Sequence, residues 1–450
     1  MTQTAAQILG HHFSTISDDS IPLEQKKNAK ALVIDYLGVA IGGSQTDSAA
    51  IAAQFVHSAG GTGEASLIGR TGPAIPAMNA AFANAIASHS IEMDDVDVLA
   101  LFHFSPPVVS AALAAAEMTG ASGAEFLSAV VLGCEMMARA SDATNFSLRN
   151  RGFHTTPTCG VFGSAVAAGR LLKLNEQQMV SALGLAGAQA SGLMEMYGPS
   201  MQKRFNPGPA ARNGVTSAMM AKLGFTGTAT IFDGERGFCN AFSDEHDISK
   251  LTEGLGSEFP IYIEYKPYSC ARPIHNAIDC ALEIRKQLDE PIEAIESIAF
   301  RRHPAWAHYH QNARPATYHE AQVSLPYSVA VALVEGDALP PQYSDEKLKD
   351  PAILRLSDMV TIEADESLPR GVSCHMTATT KSGRSHTSQI DHPLGSIERP
   401  MPAERANFKM HMLGDPVIGE SAVGKLVELV NKIETVGNIA DVLKATQPAT

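Results

Sequence analysis

Over roughly the first 250 positions, apolar residues recur at the three- and four-residue spacing of helices with one buried face. QKKNAKALVIDYLGVAIGG (25–43) keeps that period and stops at Gly42-Gly43, a glycine C-cap. PAMNAAFANAIASH (76–89), PPVVSAALAAAEMTG (106–120), GAEFLSAVVLGCEMMARAS (123–141), FGSAVAAGRLLKL (162–174), EQQMVSALGLAGAQASG (176–192) and ARNGVTSAMMAKLG (211–224) read as further helices. Their Ala, Gly and Ser content predicts close helix–helix packing. Near Pro260 the period changes. IEAIESIAFRRH (292–303) alternates like a strand, and residues 356–391 hold two or three more strand-like runs parted by turn residues. Helices are predicted between them, at NAIDCALEIRKQL (276–288) and QVSLPYSVAVALVEG (322–336). From about Pro400 the helical period returns, in GESAVGKLVELVNKIETVGN (419–438).

The length of 450 residues calls for about two or three domains at the usual ~100–200 residues each. With 45% hydrophobic and 18% charged residues the chain is well buried. A net charge of −14 argues against nucleic acid or an anionic membrane as partner, since both need a basic surface. It leaves room for a locally basic pocket that takes a small anion. No apolar run reaches the ~18 residues of a membrane span, and MTQTAAQILGHHFSTISDD lacks the basic and apolar parts of a signal peptide. The six cysteines form no CxxC, and no zinc-type spacing occurs. The expectation is a cytoplasmic protein with reduced thiols and no bound metal.

Six stretches concentrate chemistry. HSIEMDDVD (89–97) brings His89, Glu92, Asp94, Asp95 and Asp97 together just after an apolar helix, where unpaired carboxylates are costly to bury. LFHFSPP places His103 ahead of a Pro-Pro helix start. RGFHTTPTCGVFG sets His154 before three threonines at a helix start suited to an anion. MQKRFNPGPAARNG joins Lys203 and Arg204 to Asn206, Pro207, Gly208 and Pro209, read here as a rigid, helix-breaking corner that aims a cation. IEYKPYSCARPIHNAID carries Lys266, Tyr268, Arg272 and His275. AQVSLPYSVAVAL carries Tyr327 on an otherwise apolar helix, where a core role is equally open. Cations that hold carboxylates, with imidazoles that move protons, fit acid–base chemistry on a polycarboxylic acid.

These motifs resemble the MmgE/PrpD family, which includes 2-methylcitrate dehydratases, cis-aconitate decarboxylases and iminodisuccinate epimerases. The resemblance rests on HSIEMDD, GFHTTPTCGVFGSAVAAGRLL, KRFNPGPAARNG, TIFDGERGF, YKPYSCARPIHNAID and EAQVSLPYSVAVAL, in that order along nearly the whole chain. It implies a mainly α fold with a smaller α+β part. An all-helical domain would comprise residues 1–260 plus 400–450, and an α+β lid domain residues 261–399, with the active site between them. It also implies a cofactor-free homodimer. Carried onto this sequence, it makes His103, His154, Lys203, Lys266, Tyr327 and Asp94 the expected catalytic set. Glu92, Asp95, Arg204, Asn206, Gly208, Tyr268, Arg272 and His275 are the expected substrate-binding set. Which histidine is acid and which is base stays open. Family members usually have His-Pro-Gly or His-Pro-Ser where this chain has His103-Phe104-Ser105. Dehydratases of the family often have histidine at Asn206, and many members have threonine at Val96. The implied activity is a hydro-lyase of the 2-methylcitrate dehydratase type, ahead of an epimerase, racemase or decarboxylase on a dicarboxylate. A catalytically silent scaffold is the alternative outside enzymology.

Overall fold

The computed structural model describes residues 3–369 and 371–449. Its apolar side chains gather into two main cores. The larger draws on residues from Ala5 to Leu251 and again from Met410 to Leu443. The smaller lies wholly between Tyr268 and Ile390.

Helices Leu23–Gly43, Ala77–Ser88, Ser105–Thr119, Gly123–Thr144, Thr155–Leu171 and Pro207–Lys222 build the larger core. Small residues let their backbones touch. A Cβ on Gly163 would lie 2.6 Å from the Gly133 carbonyl oxygen, so these two glycines are the contact point of helices Gly123–Thr144 and Thr155–Leu171. The C-terminal helices Ala403–Ile418 and Glu420–Asn431 return to this core through Met410, Val423, Leu426 and Val430.

The smaller core packs helices His275–Gln287 and Leu325–Glu335 with one four-stranded sheet. Its strands are β1 (Ile295–Arg302), β2 (Val360–Ala364), β3 (Cys374–Thr380) and β4 (Ser385–Ile390), in the order β2-β1-β3-β4. β1 runs parallel to β2 and antiparallel to β3, and β3 runs antiparallel to β4. β3 shows the period of two expected of a strand with one covered face: Cys374, Met376, Ala378 and Thr380 are buried and the residues between them are partly open. No described helix is long and apolar enough to cross a membrane.

The predicted corner at 206–209 is not a break. Asn206 is itself in the right-handed helical region, and Pro207 opens helix Pro207–Lys222 directly after the short turn Gln202–Phe205. Proline in the first helical turn gives up an N–H that has no partner there anyway.

Candidate active site

The loop after helix Ala77–Ser88 is the centre of the site. His89, Glu92, Asp94 and Asp95 are all sealed from solvent. Glu92 sits at φ +55°, a left-handed conformation that strains any residue with a Cβ. Its backbone is clamped from the smaller core: the Ile91 carbonyl accepts from Ser269 Oγ at 2.6 Å and from Gln322 Nε2 at 3.1 Å. From behind, Lys409 of the C-terminal helix donates to the Met93 carbonyl at 2.6 Å and pairs with Asp35 at 2.5 Å. Val96 and Glu264 exchange backbone hydrogen bonds at 2.9 Å, stitching the loop to the chain that leads into the smaller core.

Three cations converge on the Glu92 carboxylate. Lys203 Nζ and Arg204 Nη1 both donate to Oε1, and Lys266 Nζ donates to Oε2 at 3.1 Å. Lys266 also stands 3.6 Å from Asp94 Oδ1. Burial pulls the Glu92 carboxyl upward, and Lys203, Lys266 and Arg204 overcome it and hold it well below the usual carboxylate range. The two lysines differ. Burial pushes Lys203 down to about 8 despite Glu92, whereas at Lys266 the carboxylates of Glu92 and Asp94 overcome burial and raise it.

Beside the cations stand the imidazoles. Asp94 Oδ2 accepts from His89 Nδ1 at 2.7 Å and stands 3.0 Å from His103 Nδ1, which hydrogen-bonds the Asp95 carbonyl. Burial drives His89 down to about 4, so it is a neutral ring near pH 7. The His103 backbone N–H donates to Thr156 Oγ1 at 3.1 Å, which ties its loop to the His154 turn. His154 precedes helix Thr155–Leu171, and its Nδ1 accepts from Asn206 Nδ2 at 2.9 Å. Burial, with His89, His103 and Lys203 nearby, holds His154 well below the ordinary imidazole range. Side chains of Lys203 and His103 keep 10% of their exposure, while Glu92 and Asp94 keep none, so a ligand reaches the cluster past those two. Tyr197 lies over the same approach, its ring centroid 5.8 Å from Lys203 Nζ.

One donor atom each from His89, Asp94 and His103 lies within 4.8 Å of the others, a spacing that a metal ion accepts. His89 Nδ1 is already hydrogen-bonded to Asp94 and His103 Nδ1 to the Asp95 carbonyl, and Lys266 supplies positive charge at Asp94. The donor set fits a hydrogen-bonded chain better than a cation.

Several expected site residues do other work. Asp95 accepts from the Phe104 and Ser105 N–H groups at 2.8 and 3.0 Å and so caps helix Ser105–Thr119 from a distance. Gly208 is a packing residue, where a Cβ would come within 2.9 Å of Ile86 and 3.1 Å of Phe82. Tyr327 is packed in the smaller core against Tyr343, and its hydroxyl donates to the Gln342 carbonyl at 3.0 Å. Tyr268 donates to Asp279 at 2.6 Å. Arg272 pairs with Glu264 at 2.8 Å and donates to the Leu394 carbonyl, and His275 contacts Arg272 and the Cys270 carbonyl. Spacing arguments missed Gln322, whose Oε1 accepts from Arg204 Nη2 at 2.7 Å, together with Ser269 and Lys409.

The family described as MmgE/PrpD N-terminal domain matches residues 7–251, and the MmgE/PrpD C-terminal domain matches residues 268–435. The chain belongs to the MmgE/PrpD family. Among similar proteins, the cis-aconitate decarboxylase of Aspergillus terreus (strain NIH 2624 / FGSC A1156) is 28% identical over 469 residues, covering 96% of this chain and 94% of that protein. The cis-aconitate decarboxylase-like protein oryM of Aspergillus oryzae is 27% identical, covering 95% and 94%. The cis-aconitate decarboxylase of Homo sapiens is 26% identical, covering 91% and 87%. The C-terminal MmgE/PrpD match runs to residue 435, yet the apolar residues after Met410 pack mostly with the N-terminal match in the larger core.

Proposed function

We propose that this MmgE/PrpD protein is an acid–base lyase acting on a small di- or tricarboxylic acid. The observation that carries the reading is the convergence of Lys203, Arg204 and Lys266 beside His103 and His154. Carbon next to a carboxylate gives up a proton, or takes one after losing CO₂, only where negative charge spreading onto that carboxylate is balanced. Lys203, the most accessible of the three cations, supplies that balance. The relatives named above favour loss of CO₂ from a cis-aconitate-like tricarboxylate as the first activity to test. Dehydration of a 2-methylcitrate-like acid is the second, because it needs the same cations and one further proton transfer. Purified protein is incubated with a panel of di- and tricarboxylates in deuterated water. Released CO₂ with deuterium at the vacated carbon marks decarboxylation, and a new double bond with loss of water marks dehydration. Deuterium in recovered substrate alone marks epimerisation. No change in any acid of the panel overturns the reading.

We also propose a homodimer. Ile51, Phe55 and Phe205 stand half-exposed, and Phe55 and Phe205 flank the Phe82 ring at 5.8 and 5.7 Å, an apolar strip suited to a second copy. Light scattering that reports a monomer overturns it.

A further inference from the structure

The two site histidines face partners of opposite kind at Nδ1. His103 Nδ1 faces two groups that only accept: the Asp95 carbonyl and Asp94 Oδ2, the latter at 3.0 Å. A hydrogen bond to either needs the proton on Nδ1, so the neutral ring carries a lone pair on Nε2. His154 is arranged the other way round. Its Nδ1 faces the amide nitrogen of Asn206 at 2.9 Å, a donor, so Nδ1 carries the lone pair and Nε2 the proton. The same amide nitrogen lies 3.1 Å from Met196 Sδ. A thioether accepts weakly and never donates, so the sulfur fixes which end of the amide turns toward His154. Asn206 and His154 are both buried, which keeps water from supplying a competing partner at Nδ1. Neither Nε2 has a hydrogen-bond partner among the described residues and neither is sealed off, so both are open to a ligand.

We infer that Asn206 is a positioning residue that makes His154 the acid of this site, while Asp94 and the Asp95 carbonyl make His103 its base. This assignment deepens the lyase reading and rests on it for its chemistry, though not for its geometry. In an elimination, His103 Nε2 takes the proton from carbon and the C–H electron pair forms the double bond. The carbon–oxygen bond breaks, and the departing hydroxyl leaves as water with the proton from His154 Nε2. In a decarboxylation the carbon–carboxylate bond breaks and its electron pair stays on carbon. The His154 Nε2 proton then closes that carbon, and water restores the proton to the ring. The acid is needed in both reactions, the base only in the first.

The test separates the two layers. In full-length protein carrying ¹⁵N-labelled histidine, long-range proton–nitrogen spectra distinguish a protonated ring nitrogen from one with a lone pair, with no substrate present. Single His→Gln variants assign the signals. The expected result is Nε2–H at His154 and Nδ1–H at His103. Asn206→Asp replaces the amide donor with an acceptor and is expected to move the His154 proton to Nδ1. Asn206→Leu, which offers nothing, is expected to give a mixture. Nδ1–H at His154 in the natural protein overturns the inference, whatever the activity. On an acid that the natural protein turns over, Asn206→Asp is expected to lower kcat by about 10²–10⁴-fold, the scale of a wrong-tautomer histidine, with KM changed far less. Equal kcat in Asn206→Asp, with the tautomer moved, overturns the acid role. An inactive natural protein with the expected tautomers overturns the lyase reading and leaves the geometric inference standing.

Discussion

Two buried polar regions lie side by side here and behave differently. One is the loop 89–105 with Lys203, Arg204 and Lys266; the other is segment 268–279 with Glu264 and Arg399. Both mix imidazole, carboxylate and cation, nearly all of them buried, with Arg399 half-exposed at the edge of the second. In the second, each group closes on a partner within the fold: Arg272 on Glu264, Tyr268 and Arg399 on Asp279, His275 on the Cys270 carbonyl. In the first, three cations meet at one carboxylate and leave donors over, and two imidazoles keep an open nitrogen. Buried charge therefore marks both structural knots and sites. The convergence of several cations on one carboxylate, beside imidazole nitrogens left open, tells them apart.

Breaking the structural knot has the largest expected effect. Arg272→Ala leaves Glu264 buried without its partner and should cost on the order of 3–5 kcal/mol in chemical denaturation, with activity per folded molecule retained. Activity lost at full stability would move Arg272 into the site. Lys203→Ala should do the reverse. Glu92 keeps Arg204 and Lys266, so the melting temperature changes little, while kcat/KM falls by about 10²–10³-fold, as for removal of one charge-stabilising donor. A kcat/KM within a few-fold of the natural protein would erase the distinction between the regions.

Asp97 sharpens the contrast, because it belongs to the acidic loop yet serves the fold, accepting from the Leu99 and Ala100 N–H groups. Burial raises its carboxyl to about 7. The folded state therefore binds a proton that the unfolded state releases above 3.8, and ionised Asp97 destabilises the fold above about pH 7. Asp97→Asn should be the more stable protein at pH 8. That advantage should shrink as pH falls from about 7 toward 4, read as the difference in melting temperature. The smallest effect is expected at Tyr327→Phe, which removes one hydrogen bond in the smaller core. It should cost about 0.5–1.5 kcal/mol and leave kcat unchanged.

Much of the fold was legible in one dimension. The period of two at 292–303 became β1, the 276–288 and 322–336 patterns became helices, and the return to helix after residue 400 is present. The corner at 206–209 was misread because proline marks both a break and a first turn, and residue order alone does not separate the two. In the site, Lys203, Lys266, Glu92, Asp94, His103 and His154 were legible as residue types needed for one chemistry. Gly208 and Tyr327 were not separable from them, since a packing glycine and a core tyrosine have the same letters as functional ones. Asp95 caps a helix ten residues on, beyond the three- to four-residue reach of a capping pattern. Gln322 joins Arg204 and Ile91 across 118 and 231 positions, a convergence that only folding creates.

The grip of Lys409 on the Met93 carbonyl spans 316 positions and sets an order of events. A ribosome delivers the acidic loop first and its rear support 316 residues after Met93. The helices of the larger core can gather while synthesis continues, but the loop meets its anchoring ammonium only after Lys409 has emerged. A nascent polypeptide stalled before residue 409 would hold every histidine and lysine of the site and still lack the strut that supports the loop from behind.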